Sequence, residues 1–298
     1  MAWYNQFMLI FGGIKMIQAN FHIHSEYCDG QNTLEEMTKA GIAAGLKSIG
    51  FASHMPLPFK NDWTMDEAKL SHYFEEISDL KEKYASSIEI YCGMEIDYFI
   101  DRQDISELAK EILPKLDYTI MSIHTIGSTY GNEVSYIDDT REDFARGIKN
   151  YYDNQPQQFI EAYYKGIGEM VLRHQPDVLG HIDLIKKYNQ ENFFFDENDF
   201  WYQETVKKCL DTIAETRTRM EINTGANMRV PGVGRYPSDW MIPEMEKRKI
   251  QITVGGDSHS VEGIVNEYNE AEMFLLSCGY KEYWMLKKGR WEAQALGV

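Results

Sequence analysis

Two histidines one residue apart, His22 and His24, form the first chemically distinctive stretch of the chain. Side chains alternate between the two faces of a strand, so an extended backbone here would turn both imidazoles to the same side. Asp29 follows shortly after, where a loop can bring its carboxylate to the same place. Imidazole and carboxylate ligands without a cysteine partner are typical of catalytic Zn, Mn, Fe or Co sites. This stretch therefore predicts part of a transition-metal site.

The remaining candidate ligands share one position in the pattern, because each lies at or next to the end of a predicted strand. They are His54, Glu95, His124, His181, Asp257 and His259. Of the eight histidines, only His72 and His174 fall in predicted helices. In parallel α/β barrels the carboxyl ends of the strands meet at one rim, where reactive groups gather. We therefore expect these side chains to converge with His22 and His24.

The elements that must position these side chains alternate between short strands and helices. Strands are predicted around His22 and over 48–54, 88–95, 118–124, 178–183, 219–224 and 252–259, with a last short strand at 282–286. Helices are predicted over 33–45, 66–85, 105–113, 140–175 with a break at Pro156, 200–216, 240–249 and 264–278. Thr33 and Glu36 form a capping-box pattern at the start of the first helix. This alternation predicts an α/β barrel of about seven strands.

We expect the barrel to occupy residues 16–298 as one domain, because barrels of about 250 residues are common. Residues 1–15 are expected to be an N-terminal extension, arising from an upstream start or serving as a docking arm. The apolar stretch within it is too short to cross a membrane and lacks the basic region of a signal peptide.

The composition limits the classes of partner. The formal charge of −17 and the sequence pI of about 4.9 disfavour a nucleic-acid surface, because an acidic protein repels phosphate backbones. A hydrophobic content of 43% is enough for a packed core and argues against disorder. The four cysteines are scattered without paired spacing, which argues against disulfides and zinc fingers and favours a reducing cytoplasm. We expect no membrane partner.

Taken in order, the motifs resemble those of the PHP (polymerase and histidinol phosphatase) superfamily. They read His-x-His, Ser-His, Gly-x-Glu, Ile-His, Gly-His-x-Asp and Gly-Asp-Ser-His. Within that superfamily, residues 180–188 and 221–225 resemble the histidinol-phosphate phosphatase branch. The resemblance extends from about residue 17 to residue 286. It implies a distorted, TIM-like (β/α)7 barrel, the PHP fold, with metals at the carboxyl ends of the strands.

The resemblance also implies which residues hold the metals. The first ion would be held by His22, His24, Glu95 and Asp257. Glu95 would bridge to a second ion, held also by His124 and His181. A third would be held by Asp29, His54 and His259, with Glu26 as a competing carboxylate for Asp29. The implied cofactors are two to three divalent transition metals, Zn, Mn or Fe.

The activity implied by the resemblance is hydrolysis of a phosphate monoester, with L-histidinol phosphate of histidine biosynthesis as the expected small phosphorylated substrate. Such esters hydrolyse very slowly, so large electrostatic stabilisation is needed, which two close metals can supply. We hypothesise that a metal-bridging hydroxide at Glu95 attacks phosphorus in line. Asp257 or His259 would pass a proton to the departing alcohol. These three residues are the catalytic candidates.

Residues that bind the substrate are harder to find in the sequence. Arg229 and Arg235 could each hold phosphate by a bidentate contact, and Lys186 is a cation near the expected mouth. Asp183 either orients His181 or caps its strand. The loop containing Pro56 and Trp63 is either a lid or a stiff surface turn; these residues do not decide between the two.

The sequence is also compatible with two other functions. One is a PHP phosphoesterase for a different small phosphate ester or nucleotide. The other is a non-catalytic metal-binding or polymerase-associated module, against which the complete ligand set and the absence of a basic face argue. The sequence leaves the oligomeric state undetermined.

Overall fold

The computed structural model describes residues 17–130 and 134–297, so the predicted extension over residues 1–15 lies outside the described residues. Its central sheet has seven parallel strands. In spatial order they are β1 (Ala19–Ile23), β2 (Ser48–Phe51), β3 (Glu89–Phe99), β5 (Tyr118–Ser122), β8 (Val178–Leu179), β9 (Arg219–Asn223) and β10 (Ile252–Gly255). The first and last strands meet where the His24 amide donates to the Ser258 carbonyl and the Ser258 amide to the His22 carbonyl, both at 2.9 Å. The predicted fold, a nearly closed α/β barrel, is confirmed.

The remaining strands do not belong to the seven-stranded barrel. A two-residue strand, β4 (Asp104–Ile105), pairs antiparallel with the end of β3, and β6 (Thr125–Ile126) pairs with β7 (Ser135–Tyr136). At the end of the chain, β11 (Glu282–Lys287) and β12 (Arg290–Ala295) form a hairpin.

Helices follow most of the barrel strands. They are α1 (Leu34–Ala43), α2 (Leu70–Lys83), α3 (Glu107–Ile112), α4 (Arg141–Tyr151), α5 (Pro156–His174), α6 (Phe200–Ala214), α7 (Ala226–Arg229), α8 (Met241–Lys247) and α9 (Tyr268–Ser277). The predicted capping box is present, because the Glu36 amide donates to the Thr33 hydroxyl and the Thr33 amide to the Glu36 carboxylate. The predicted break at Pro156 is also present, since this proline is the first residue of α5. No helix in the described part of the chain is long and apolar enough to span a membrane.

The prediction that the third strand ends at Glu95 is wrong. Strand β3 continues to Phe99 because Ile96 and Asp97 keep pairing with Met121 and Ser122 of β5. Glu95 is therefore presented from inside a strand, where its backbone is fixed on both sides. The strand predicted over 178–183 is also shorter than expected, since β8 ends at Leu179.

The sequence predicted the strand β11 near the end of the chain but not β12, the strand that pairs with it. Strands β11 and β12 are joined by Lys288 and Gly289, both at positive φ (49° and 71°), which makes a two-residue hairpin turn. The hairpin covers the amino-terminal end of the barrel, because the Ser48 hydroxyl donates to the Leu286 carbonyl at 2.9 Å. The ring of Trp291 also packs 5.3 Å from that of Phe21. It therefore closes the end opposite the predicted site.

Inside the barrel, Tyr118 crosses beneath its neighbouring strands. Its hydroxyl lies 2.6 Å from the carbonyl oxygen of Phe21 and 3.1 Å from that of Phe51. Gly50 and Gly93 leave the room for it, since a Cβ at either position would lie within 2.5 Å of the tyrosine side chain. The side chain of Tyr118 thus fills part of the barrel interior below the rim.

Candidate metal centre

Glu95 stands at the middle of the rim, completely buried inside β3. Its two carboxylate oxygens face different imidazoles. The Oε2 atom lies near nitrogens of His54 (3.0 Å), His22 (3.2 Å) and His24 (3.6 Å). The Oε1 atom lies near Nε2 of His181 (2.9 Å) and of His124 (3.5 Å). One carboxylate can therefore serve two neighbouring ions.

Two further carboxylates complete the cluster. Asp257 Oδ1 lies 3.2 Å from His24 Nε2, on the side of the Glu95 Oε2 atom. Asp29 lies farther out, with its Oδ2 atom 3.2 Å from His259 Nε2 and its Oδ1 atom 3.8 Å from His54 Nε2. Both acids come from loops that follow strands β1 and β10, as the barrel arrangement predicts.

All nine predicted ligands are thus brought into one cluster. Four groups have ligand atoms within 4.8 Å of one another: His24, Asp29, His54 and His259; His22, His24 and Asp257; His22, Glu95 and His181; and His54, Glu95 and His124. Compared with the sets that the resemblance implies, His24 also approaches the Asp29 group and His54 also approaches Glu95. Which residue holds which ion stays a prediction.

The electrostatics of the cluster fit divalent cations. Burial lowers the pKa of His54, but Glu95 and Asp29 outweigh it and raise the value to about 9. For His124, burial is likewise outweighed by Asp97 and Glu95, and the pKa rises to about 9. Burial raises the pKa of Glu95, but the surrounding imidazoles bring it well below its usual value. The charged carboxylates therefore attract positive charge, which bound metal would supply in place of protons.

Unsatisfied nitrogens support the same conclusion. His24 Nε2 and His54 Nδ1 are buried without a hydrogen bond of acceptable geometry, although carboxylate oxygens are close. Buried polar atoms are normally paired, so such nitrogens are suited to metal coordination. The donor set of imidazoles and carboxylates without thiolate is one that Zn, Mn or Fe accepts.

Two carboxylates that the sequence analysis missed orient the histidines. Glu221 Oε1 lies 2.6 Å from His22 Nδ1, and its Oε2 atom accepts from the His181 amide at 3.1 Å. Asp97 Oδ1 lies 2.8 Å from His124 Nδ1. Each contact leaves the Nε2 atom of its histidine directed at Glu95, as carboxylate partners of metal-bound histidines do. Asp97 could have been found from its position two residues after Glu95, on the same strand face.

Beside the cluster lies a cavity of about 470 Å³. Its lining includes seven of the nine predicted ligands, namely Asp29, His54, Glu95, His124, His181, Asp257 and His259. Arg229 also lines it, with an Nη1 atom that donates to the Asp257 carbonyl at 2.8 Å and an Nη2 atom that pairs with the Asp257 carboxylate. A volume of this size suits a small-molecule substrate.

The sequence profile of the PHP domain matches residues 20–225. This chain belongs to the PHP domain family. The PHP chain is 29% identical over 271 residues to the histidinol-phosphatase of Bacillus subtilis, an alignment that covers 86% of this chain and 98% of that one.

Solved structures agree with the PHP barrel. A structure from Listeria monocytogenes has a TM-score of 0.72 at 24% identity, covering 85% of this chain and 99% of that one. Histidinol phosphate phosphatase from Lactococcus lactis, crystallised with zinc, L-histidinol and phosphate, has a TM-score of 0.67 at 20% identity, covering 92% of this chain and 98% of that one. At these identities the likeness establishes the fold alone.

Two of the three predicted substrate residues lie outside the cavity of this PHP chain. Lys186 is buried and donates to the Arg235 carbonyl (2.6 Å) and the Ser238 hydroxyl (2.7 Å), so its charge is used in a structural network. The Arg235 guanidinium pairs with Asp239 at 3.1 Å and stacks over the ring of Phe274. The neighbouring Lys187 lines the cavity instead.

Of the two roles predicted for Asp183, the orientation of His181 is wrong, because the His181 Nδ1 atom has no hydrogen-bond partner among the described residues. Asp183 Oδ2 accepts from the Ser238 amide (2.8 Å) and hydroxyl (2.9 Å) and lies 3.0 Å from Lys186 Nζ. It therefore anchors the segment that follows β9. The loop after β2 does reach the cavity, where the Trp63 ring packs edge-on against His54 at a centroid distance of 4.6 Å.

Proposed function

We propose that this PHP chain is a phosphomonoesterase that hydrolyses L-histidinol phosphate to L-histidinol and inorganic phosphate. The observation that carries the proposal is the gathering of imidazoles and carboxylates around the two oxygens of Glu95, next to a cavity that also contains Arg229. The similarity to the Bacillus subtilis histidinol-phosphatase along almost its whole length supports the choice of substrate. The Lactococcus lactis structure, with its zinc, L-histidinol and phosphate, supports it further.

We propose two to three divalent ions at this centre, with zinc as the first candidate and Mn or Fe as the others. Bound ions would supply the concentrated positive charge that a phosphate monoester needs during attack at phosphorus. Glu95 would hold two of them, because its oxygens face separate sets of imidazoles. Asp29, His54 and His259 would hold the third.

The side chains around the cavity then have distinct tasks. Arg229 is 31% exposed, contacts Asp257 and His259, and is the cation placed to bind a phosphoryl oxygen. His259 or Asp257 would deliver a proton to the leaving alkoxide as the bond between phosphorus and the ester oxygen breaks. All three residues approach the cavity from the same side, through the segment after β9 and the loop after β10.

We place the enzyme in the cytoplasm. Its four cysteines, Cys28, Cys92, Cys209 and Cys278, are all free. Free thiols are typical of proteins in reducing compartments.

The test is phosphate release from L-histidinol phosphate by the purified protein, measured with and without a chelator and after adding back Zn, Mn or Fe. His124→Asn removes a proposed ligand, whereas His72→Asn changes an exposed helical histidine outside the cluster and is the matched control. We expect metal-dependent turnover that His124→Asn reduces at least about 100-fold and His72→Asn leaves intact. Absence of phosphate release with any of these metals would refute the proposal.

A further inference from the structure

The side chain of Asn20 is fully buried at the barrel seam, where β1 meets the loop after β10. The proposed chemistry gives this residue no role. Asn20 precedes the candidate ligands His22 and His24 on its own strand, and Asp257 and His259 lie in the loop across the seam. Four of the nine candidate ligands therefore come from the two segments that meet at this side chain.

All four hydrogen-bonding positions of the Asn20 amide group are occupied. Its Oδ1 atom accepts from the backbone amides of His22 and Gly256, both at 3.0 Å. Its Nδ2 atom donates to the Ser258 hydroxyl at 3.1 Å and to the Ile264 carbonyl at 2.9 Å. A side-chain amide offers two donor hydrogens and an oxygen with two lone pairs, so its capacity is fully used. The side chain therefore connects β1 with three points along the segment after β10.

Asp257 lies between two of these points and has an uncommon backbone conformation. Its φ is 43°, in the left-handed region that residues with a Cβ rarely adopt. Such a conformation persists only where the surrounding structure holds it. Gly256 before it and Ser258 after it both hydrogen-bond to Asn20. The Asn20 amide group therefore fixes the chain on each side of the strained residue.

Close packing leaves these contacts little freedom. A Cβ at Gly256 would lie 2.7 Å from Asn20 Nδ2 and 2.3 Å from Ser258 Oγ, so only glycine fits here. The Ser258 hydroxyl donates in turn to the Gly263 carbonyl at 2.9 Å, which fixes the direction of its hydrogen. Its oxygen is then free to accept from Asn20, and the backbone between the two anchors is held in one arrangement.

This backbone directs the Asp257 carboxylate into the metal cluster. Its Oδ1 atom lies 3.2 Å from His24 Nε2 and 3.7 Å from His22 Nε2, and these three residues form one of the four candidate metal groups. Taking the proposed metal centre as given, we infer that Asn20 is a positioning residue for this group. It keeps Asp257 in the backbone conformation that turns the carboxylate toward the two histidines.

The group of His54, Glu95 and His124 is an internal reference, because in the described part of the chain Asn20 hydrogen-bonds to none of its members. We expect Asn20→Ala to weaken zinc binding beside Asp257 about 10- to 100-fold, as loss of a residue that orients a ligand does. Zinc beside His124 should bind as in wild type. Titration against a chromophoric chelator would give the affinities. Anomalous diffraction from crystals at several zinc concentrations would give the occupancy of each ion.

Asn189→Ala is the matched control. Asn189 is also buried, and its side-chain amide holds the backbone of Phe194 and Phe195 through three hydrogen bonds outside the metal groups. This variant should unfold at a lower urea concentration but keep every ion. Ser258→Ala removes one contact of Asn20, so we expect a smaller loss at the same ion, and this variant decides the question if Asn20→Ala does not fold.

Equal weakening of all the ions in Asn20→Ala, or zinc affinities identical to those of wild type, would overturn the inference. If wild type bound no zinc, the inference and the proposed function would fail together. If wild type bound zinc but did not hydrolyse L-histidinol phosphate, only the proposed function would fail. A loss confined to the ion beside Asp257 would still support the inference in that case, because the zinc measurements need no substrate.

Discussion

Glu95 connects most of the candidate ligands, because it is the carboxylate that approaches five imidazoles from a fully buried position. Replacing it with glutamine keeps the shape of the side chain but removes its charge and one acceptor. We predict that Glu95→Gln loses bound metal and lowers kcat by about 100-fold or more. Elemental analysis and the phosphate assay on the same preparation would measure both, and a variant that kept its full metal content and activity would refute the bridging role.

Glu221 acts indirectly, because it contacts predicted metal ligands but is not itself one of them. It faces His22 Nδ1, accepts from the His181 amide, and accepts from the Asn223 side chain at 3.1 Å. We predict that Glu221→Gln weakens metal binding about 10- to 100-fold. The neutral side-chain amide of glutamine would hold the His22 imidazole less firmly than the charged carboxylate does. A competition titration with a chromophoric chelator would measure the affinity. Glu282→Gln, at an exposed strand position, is the control and should leave the affinity unchanged.

The spacing of residues in the sequence predicted the candidate ligands but not the side chains that orient them. His22 and His24 could be recognised because they are neighbours in sequence and share a strand face. Glu221 lies 199 residues away from His22, and only the closing of the barrel brings the two together. For the same reason the sequence could not show that Lys186 lies outside the cavity, since it gives the charge of this residue but not the direction of its side chain.

Among the elements, strand β3 depends on glycine where it passes over Tyr118. A Cβ at Gly93 would lie 2.4 Å from the tyrosine ring, a distance that real contacts do not reach. We predict that Gly93→Ala destabilises the protein by about 1–3 kcal/mol through overpacking. The destabilisation would be measured as a lower urea concentration at the midpoint of unfolding.

Gly168→Ala is a control substitution for which we expect the opposite change in stability. Gly168 lies in the interior of α5, and a Cβ there would have its nearest neighbour, Thr212, at 3.6 Å, which is ordinary contact. Alanine also costs less conformational entropy than glycine in a helix, so Gly168→Ala should stabilise by about 0.5–1 kcal/mol. An equal effect of the two substitutions would contradict the packing described for Tyr118.

Element boundaries were predictable where local signals set them. Thr33 with Glu36 and the proline at position 156 gave two helix starts correctly, because caps and prolines act within one turn. The extension of β3 to Phe99 depends on pairing with β5, which a local pattern does not contain. The hairpin was missed because its turn is Lys288-Gly289, a weaker signal than Asn-Gly.

For the molecule as a whole, the metal centre joins loops from across the sequence and so contributes to folding stability. We predict that a chelator lowers the melting temperature and that Zn restores it, since an ion at 100 times its Kd stabilises by about 2.7 kcal/mol. Mg²⁺ should restore less, because it prefers oxygen ligands to imidazole. Scanning calorimetry would measure the melting temperature. If neither the chelator nor Zn changed it, a metal centre that joins these loops would be contradicted.

The overall architecture was the most predictable level. Alternating strands and helices, with acids and imidazoles at the strand ends, are enough to predict a barrel with one reactive rim. The shape of the cavity was not predictable, because it depends on two loops, those carrying Trp63 and Asp138, whose meeting no periodic pattern encodes. The prediction of one domain over residues 16–298 remains open to test.

The metal centre around Glu95 can be tested directly by a crystal structure of the zinc-loaded protein, with anomalous diffraction measured on both sides of the zinc absorption edge. We predict at least two anomalous peaks in contact with Glu95, one on the side of His22 and one on the side of His181. Peaks found only at surface residues, with the side chains around Glu95 paired to one another, would contradict it.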